Sequence, residues 1–144
     1  MMNFSKKYET IFLIIWTVTL VATAGSLYYS EVRGYTPCEL CWIQRIFMYP
    51  LVIIYGVALW KKNISIALPG LILSGIGMFI SAYHYSLQKI PSLHSAGGIC
   101  GDIPCNLQYV NYFGFVTIPF QAGLAFIIIF SLHVYVLRKI RQSE

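Results

Sequence analysis

The chain has 144 residues, of which 58% are hydrophobic and only 10% are charged, and its mean hydropathy is +0.68. Soluble domains carry about 25% charged residues, so this composition excludes a water-soluble globular protein and predicts one that lies in a lipid bilayer. The formal net charge is +5. The lysines and arginines are dispersed at the ends of apolar segments, which indicates membrane topology signals and no nucleic-acid-binding surface.

Four apolar segments approach the length of about 20 residues that a helix needs to span a membrane. They therefore predict an all-α integral membrane four-helix bundle, with residues 1–144 as one membrane domain. The first segment could also be a cleavable signal peptide, because Lys6 and Lys7 precede an apolar run that ends in small residues. We expect it to be retained as a helix, since the topology balances only when it is kept. The predicted spans are residues 10–29, 41–60, 64–87 and 115–137.

The distribution of positive charge predicts the orientation of the bundle. Seven of the ten lysines and arginines fall on one side, namely Lys6, Lys7, Lys61, Lys62, Arg138, Lys139 and Arg141. The positive-inside rule places this side, with both termini, in the cytoplasm. Two loops then face outward, and each contains a pair of cysteines. Disulfides persist on that oxidising side of the membrane.

Residues 36–45, with the sequence TPCELCWIQR, open the second span. Thr36 and Glu39 form a capping-box pattern and Pro37 suits the first helical position, so a helix is predicted to begin here. Cys38 and Cys41 would then lie in the opening turn, on one face and close enough for a disulfide.

The predicted helix start also favours a reactive thiolate. Free N–H groups and the positive end of the helix dipole stabilise a negative sulfur at this position. Arg45 follows Cys41 by four residues, so its guanidinium can share the face of Cys41 and add a positive charge. The cysteine pair could instead be a structural disulfide or half of a metal site. The arginine could instead extend its side chain to the lipid headgroups. No βαβ pattern surrounds the motif, which excludes a thioredoxin-like fold.

The second cysteine pair and the histidines leave more alternatives open. Cys100 and Cys105 can close a small ring, which would stabilise folding little and therefore favours thiol exchange over architecture. Four cysteines still allow three pairings. His84 falls inside the third span, where it is either a functional residue or a neutral histidine bonded to a carbonyl or headgroup. His133 is expected at the cytoplasmic interface and His94 in solvent.

Cys-x-x-Cys-aromatic-x-x-Arg at the start of a second membrane helix, with another outer cysteine pair before the fourth, resembles the DsbB family of disulfide bond formation proteins. The chain is most similar to the shorter, BdbC-type members. The resemblance extends from the first span to about Gln121. One departure is the second loop, where four residues separate the cysteines while the best-known members separate them widely.

The resemblance implies a bacterial inner-membrane enzyme that reoxidises an extracytoplasmic thioredoxin-fold thiol oxidase of the DsbA or BdbD type. Electrons would pass to a membrane quinone of the ubiquinone or menaquinone type. Cys100 would be attacked by the partner, and Cys105 would exchange with Cys38. Cys41 would contact the quinone, which Arg45 and, by a weaker match, His84 would help to bind.

The residues by themselves also allow two other functions. One is a membrane scaffold or metal-binding protein that holds zinc or copper with four thiolates. The other is a quinone reductase similar to vitamin K epoxide reductase, which also combines a helix bundle with a Cys-x-x-Cys motif. The direction of electron flow comes from the family resemblance alone.

Overall fold

The computed structural model describes residues 6–96 and 100–143, and this part of the chain contains four long helices. All four are long and apolar enough to cross a membrane. Within the described residues, extended pairing is limited to a single bridge between Tyr112 and Val116. The prediction of an all-α, four-helix membrane bundle is confirmed. The helices are α1 (Lys6–Leu27), α2 (Glu39–Lys61), α3 (Ala67–Lys89) and α4 (Ile118–Ser143).

Two short irregular turns adjoin the helices, one reaching beyond the predicted end of the first span and one inside the predicted third span. A π-helical turn, Tyr28–Val32, continues α1, and a 3₁₀ turn, Ile64–Ile66, precedes α3. The side chain of Asn63 accepts a hydrogen bond from the Ser65 N–H at 2.9 Å, which caps this 3₁₀ turn and fixes the tight connection from α2. The α2–α3 hairpin is therefore short, as two consecutive antiparallel membrane helices require.

The start of α2 differs from the prediction. The helix begins at Glu39, and Cys38 is the N-cap residue, with extended backbone angles of φ −74° and ψ 171°. The first helical hydrogen bond is from the Trp42 N–H to the Cys38 carbonyl at 3.1 Å. The capping box expected from Thr36 is wrong. No side chain caps the helix here, and Cys38 is instead buried at the N-cap.

Close approach of α3 and α4 depends on glycines in α3. A Cβ added at Gly77 would overlap the ring of Phe126, and one added at Gly70 would overlap Tyr55 Oη and His133 Nε2. His133 is completely buried, and its Nδ1 lies 2.6 Å from the Ile129 carbonyl. The missing side chain of Gly70 leaves the imidazole room inside the bundle, and the expected depth of His133 at the cytoplasmic interface stays a prediction.

Two loops meet at the same end of the bundle: the first contains Cys38 and leads into the first turn of α2 with Cys41, and the second contains Cys100 and Cys105. The first cysteine loop, residues 33–38, precedes α2, and the second, residues 90–117, joins α3 to α4. Tyr35 and Tyr109 stack across the two loops with ring centroids 4.8 Å apart. The second loop is fastened to α3, because Gln88 Nε2 donates to the Leu107 carbonyl at 3.0 Å. Both cysteine pairs are thereby held at one end of the helices.

Candidate functional site

The first cysteine pair is reduced and closely spaced. Cys38 and Cys41 are free thiols with sulfurs 3.3 Å apart. Cys38 is 6% exposed at the N-cap, and Cys41 is half-buried in the first turn of α2. The predicted proximity of the two sulfurs is confirmed, although Cys38 lies just outside the helix. The pair can form a disulfide with little movement of the backbone.

Local hydrogen bonds favour a thiolate at Cys38. The hydrogen bond from Cys41 lowers the pKa of Cys38 most, and His84 adds a further hydrogen bond. These contributions outweigh burial and bring the pKa of the Cys38 thiol to about 4. In the dithiol state the negative charge is therefore favoured on Cys38. A thiolate at Cys41 remains a prediction for the state in which Cys38 is bonded to Cys105.

His84 lies between the two cysteine pairs and is almost fully buried in α3. Its Nε2 lies 3.6 Å from Cys38 Sγ and 3.1 Å from the Cys105 carbonyl oxygen. Its Nδ1 lies 3.0 Å from Nε2 of Gln44, a buried residue of α2. The imidazole thus contacts a cysteine of each loop, which favours the functional interpretation over a simple contact with headgroups. Gln44 was not among the predicted site residues. The signal that could have revealed it is a polar amide inside an apolar span, next to Arg45.

The second cysteine pair forms a disulfide between Cys100 and Cys105. Cys105 is 3% exposed and packs in one cluster of buried residues with Cys38, while Cys100 is half-buried at its edge. A small cleft beside the disulfide is lined by His94 and Asp102, among others, and His94 is exposed as expected. The structure contains this disulfide, and the other two cysteines, Cys38 and Cys41, are free thiols.

Arg45 is held against α1. Its Nη2 donates to the Ser26 carbonyl at 3.1 Å, and its guanidinium lies 5.0 Å from the centroid of the Trp42 ring. The side chain is partly buried, and it lines the same cavity as Cys41. Arg45 therefore puts a fixed positive charge in the wall of this cavity, and its role at the site of Cys41 stays a prediction.

A cavity of about 810 Å³ adjoins the dithiol. Its volume is within the range of small-molecule sites, which are concave and mostly apolar with a few polar groups. Its lining includes the polar groups of Cys41, Gln44, Arg45 and His84. Apolar side chains of α1 and α4 line it as well, and some of them are exposed on the surface of the bundle, where lipid would lie. Three of these exposed residues, which we call the rim, are Val21, Leu124 and Ile128.

The shape and chemistry of this cavity fit a quinone. Its apolar lining suits an isoprenoid tail, and the guanidinium of Arg45 could donate to a carbonyl oxygen of a flat ring. A metal ion is the competing ligand, because the ligand atoms of Cys38, Cys41 and His84 lie within 4.8 Å of one another. The expected alternative of four thiolates is not assembled here, since two of the sulfurs are bonded to each other.

Membrane-length helices that carry a buried dithiol beside a loop disulfide define a membrane thiol–disulfide protein. The family model described as disulfide bond formation protein DsbB matches residues 8–125, and the chain belongs to this family. Its function is therefore, in general terms, disulfide bond formation at a membrane.

Several curated bacterial proteins are similar over nearly the whole chain. A "Probable disulfide formation protein" of Oceanobacillus iheyensis is 59% identical, covering 96% of this chain and 97% of the relative. The "Disulfide bond formation protein C" of Bacillus subtilis is 48% identical over 85% of this chain and 90% of its own length. The "SPbeta prophage-derived disulfide bond formation protein B" of the same organism is 34% identical over 97% and 96%. No solved structure matches the chain.

Proposed function

We propose that this protein takes two electrons from an extracytoplasmic thioredoxin-fold thiol oxidase and passes them to a membrane quinone. It thereby returns the partner to its disulfide form, which then oxidises exported proteins. The observation that carries the proposal is the arrangement of the loop disulfide, the buried dithiol and the apolar cavity in one continuous cluster.

The partner would react at the loop disulfide. Cys100 is the more accessible sulfur and borders the cleft with His94, so a partner thiolate can attack it and release Cys105 as a thiolate. The second partner thiol then attacks the mixed disulfide. The partner leaves with a disulfide, and Cys100 and Cys105 are left as a dithiol that holds the two electrons.

Exchange between the cysteine pairs would follow inside the buried cluster. The Cys105 thiolate attacks Cys38 of a Cys38–Cys41 disulfide and releases Cys41. Cys100 then attacks Cys105, which re-forms the loop disulfide and releases the Cys38 thiolate. The products are a loop disulfide and a reduced Cys38/Cys41 pair, and this is the redox state that the structure contains.

The quinone would lie in the cavity beside Cys41. A bound quinone supplies a two-electron, two-proton acceptor. Cys41 and Arg45 both line this cavity, and Arg45 would orient a ring oxygen and stabilise negative charge that develops on it. The apolar walls exclude water from the sulfurs. Cys38 and Cys41 return to the disulfide when their two electrons leave.

The proposal also assigns the protein to the bacterial inner membrane, with both cysteine loops on the extracytoplasmic face. The seven cytoplasmic lysines and arginines named above support this orientation. Thiol exchange with an exported partner requires it, because disulfides persist only on the oxidising side.

The test is oxidation of a reduced thioredoxin-fold dithiol protein by the purified protein in detergent, with and without a short-chain quinone. We expect oxidation to require quinone. Cys38→Ser and Cys41→Ser should abolish turnover, while the Cys100→Ser/Cys105→Ser variant should still bind quinone but no longer oxidise the partner. Full turnover without quinone, or in any of these variants, would contradict the proposed electron path.

A further inference from the structure

The proposed exchange does not involve Gln44, a polar residue that is buried within an apolar helix. It lies in α2 with 5% of its surface exposed, inside a membrane-length apolar helix. A buried amide without a hydrogen-bond partner is costly, and Gln44 has its partner in α3, at Nδ1 of His84. The pair therefore connects the helix that carries the dithiol to the helix that precedes the loop disulfide.

The contacts of His84 determine which of its nitrogens carries the proton. Its Nε2 lies 3.1 Å from the Cys105 carbonyl oxygen, which can only accept a hydrogen bond, so Nε2 must be an N–H donor. A neutral imidazole has one N–H, and Nδ1 is then a lone-pair acceptor. Gln44 meets this requirement by donating from its amide nitrogen at 3.0 Å.

We propose that Gln44 is a positioning residue that holds His84 in the Nε2–H tautomer, so that one N–H faces both the Cys105 carbonyl and the Cys38 sulfur. In the opposite tautomer, a bare Nε2 lone pair would face the lone pairs of that carbonyl and the negative charge of a Cys38 thiolate. The Gln44 amide therefore decides whether His84 attracts or repels the two cysteines.

The consequence for exchange rests on the proposed function. Cys105 and Cys38 must meet for electrons to pass between the pairs, and His84 Nε2 is 3.1 Å from the carbonyl of one and 3.6 Å from the sulfur of the other. The N–H holds the backbone of Cys105 near Cys38 and donates to the Cys38 thiolate when that sulfur leaves. Gln44 would thus act mainly on the internal transfer, although its side chain also lines the cavity.

The direct test is ¹⁵N NMR of the reduced protein in detergent micelles, with only the histidines labelled, at neutral pH. We expect His84 to have a protonated Nε2 and a bare Nδ1. His133 is an internal reference of the opposite kind, because its Nδ1 lies 2.6 Å from the Ile129 carbonyl and must be the donor. His84→Gln assigns the signals. A protonated Nδ1 on neutral His84 in the wild-type protein would overturn the inference.

Two variants of Gln44 separate tautomer control from a merely structural role. In Gln44→Glu the carboxylate can only accept, so Nδ1 of His84 should become protonated. Gln44→Met keeps similar bulk but removes the donor to His84. His84 is then no longer held with its N–H toward the Cys38 thiolate, so kcat for partner oxidation should fall about tenfold, the scale of one hydrogen bond to a charged group. Quinone KM should change less than kcat, because the Gln44 amide is engaged by His84, although the side chain also lines the cavity.

The outcomes distinguish this inference from the proposed function. If the tautomer of His84 is as expected but no variant, nor the wild-type protein, uses quinone, the electron path fails and the role of Gln44 in setting the tautomer stands. If quinone turnover is normal and Gln44→Glu leaves Nδ1 unprotonated, the role of Gln44 fails and the electron path stands. A tenfold change in quinone KM with unchanged kcat in Gln44→Met would also contradict the inference.

Discussion

The two sulfurs of the buried dithiol differ because their neighbours differ. Cys38 receives hydrogen bonds from Cys41 and His84, whereas Cys41 faces the cavity that Arg45 also lines. A thiolate is the form that attacks disulfides and transfers electrons, so the position of the charge decides which sulfur reacts first. In the dithiol state the hydrogen bonds to Cys38 make it the sulfur that carries the charge.

We predict that the thiolate absorbance of the reduced protein near 240 nm persists in mild acid and is lost only around pH 4, the pKa of Cys38 being about 4. Cys41→Ala removes the largest cause of the lowering and should move the midpoint upward. The pKa in the folded state is below the ordinary value of 9.0, so this thiolate stabilises the reduced fold fully above pH 9.0 and not at all below about pH 4. Equal midpoints in both proteins would contradict the assignment.

Arg45→Ala is predicted to raise the quinone KM by about tenfold, because one hydrogen bond from a charged donor is lost. Steady-state kinetics with a short-chain quinone would measure this. Arg33→Ala is the matched control, since Arg33 is exposed in the first cysteine loop, where its Nη2 donates to Tyr35 Oη at 3.1 Å. An equal rise in both variants would indicate a general effect of charge and remove Arg45 from the site.

Residue types and spacing predicted part of the site and missed the rest. The Cys-x-x-Cys pair and the arginine four residues later are local patterns, so one sequence is enough to find them. His84 was predicted, but Gln44 and its contact with His84 were missed. The two residues are 40 positions apart and meet only when α2 packs on α3. The burial of His133 was missed for the same reason, because it depends on Gly70 in another helix.

At the scale of the helices, small residues in α3 set how closely the bundle packs. Gly77 and Gly70 face aromatic and imidazole rings of other helices with no room for a methyl group. In a membrane, where lipid is as apolar as the side chains, such close packing is a main source of helix association. The hydrogen bond from Trp16 Nε1 to the Val52 carbonyl at 3.0 Å joins α1 to α2 in addition.

Gly77→Ala is predicted to destabilise the protein by about 1–3 kcal/mol, because the new methyl group overlaps the buried ring of Phe126. Thermal unfolding in detergent, followed by circular dichroism, would measure the loss. Gly25→Ala is the control, since a Cβ there meets nothing within 4 Å. It should be neutral or slightly stabilising, as helix propensity favours alanine over glycine by about 0.5–1 kcal/mol. If both variants unfold at the same temperature, the contact with Phe126 does not limit the packing.

Hydropathy predicted all four helices, because the bilayer requires about 20 apolar residues whatever the details of packing. The beginning of α2 was placed too early. The signals at Thr36 and Pro37 are local, whereas the position of the first turn is decided by the burial of Cys38 against residues far along the chain, including Cys105. Helix ends are governed by such contacts, which no short window of sequence contains.

The molecule as a whole has both cysteine loops at one end and most of its positive charge at the other. Tyr35 of the first loop stacks on Tyr109 of the second, and this contact holds the two loops together. This polarity agrees with the proposed electron path, which would run from a water-soluble partner at the loops into the apolar part of the bundle.

Reporter fusions should confirm that the termini are cytoplasmic. Alkaline phosphatase, which requires disulfides, is predicted to be inactive when fused after α4 and active when inserted in the second cysteine loop near Phe113, which is 92% exposed. A green fluorescent protein fused after α4 should fluoresce. An active phosphatase at the C-terminal end would contradict the predicted orientation.

The rim of the cavity, formed by Val21, Leu124 and Ile128, has a kinetic consequence. A molecule that enters between these side chains arrives by sideways diffusion within the bilayer, so its supply depends on its number per unit of membrane area. In reconstituted vesicles, added lipid should slow turnover at constant total quinone, whereas dilution of the same vesicles with buffer should leave the quinone step unchanged.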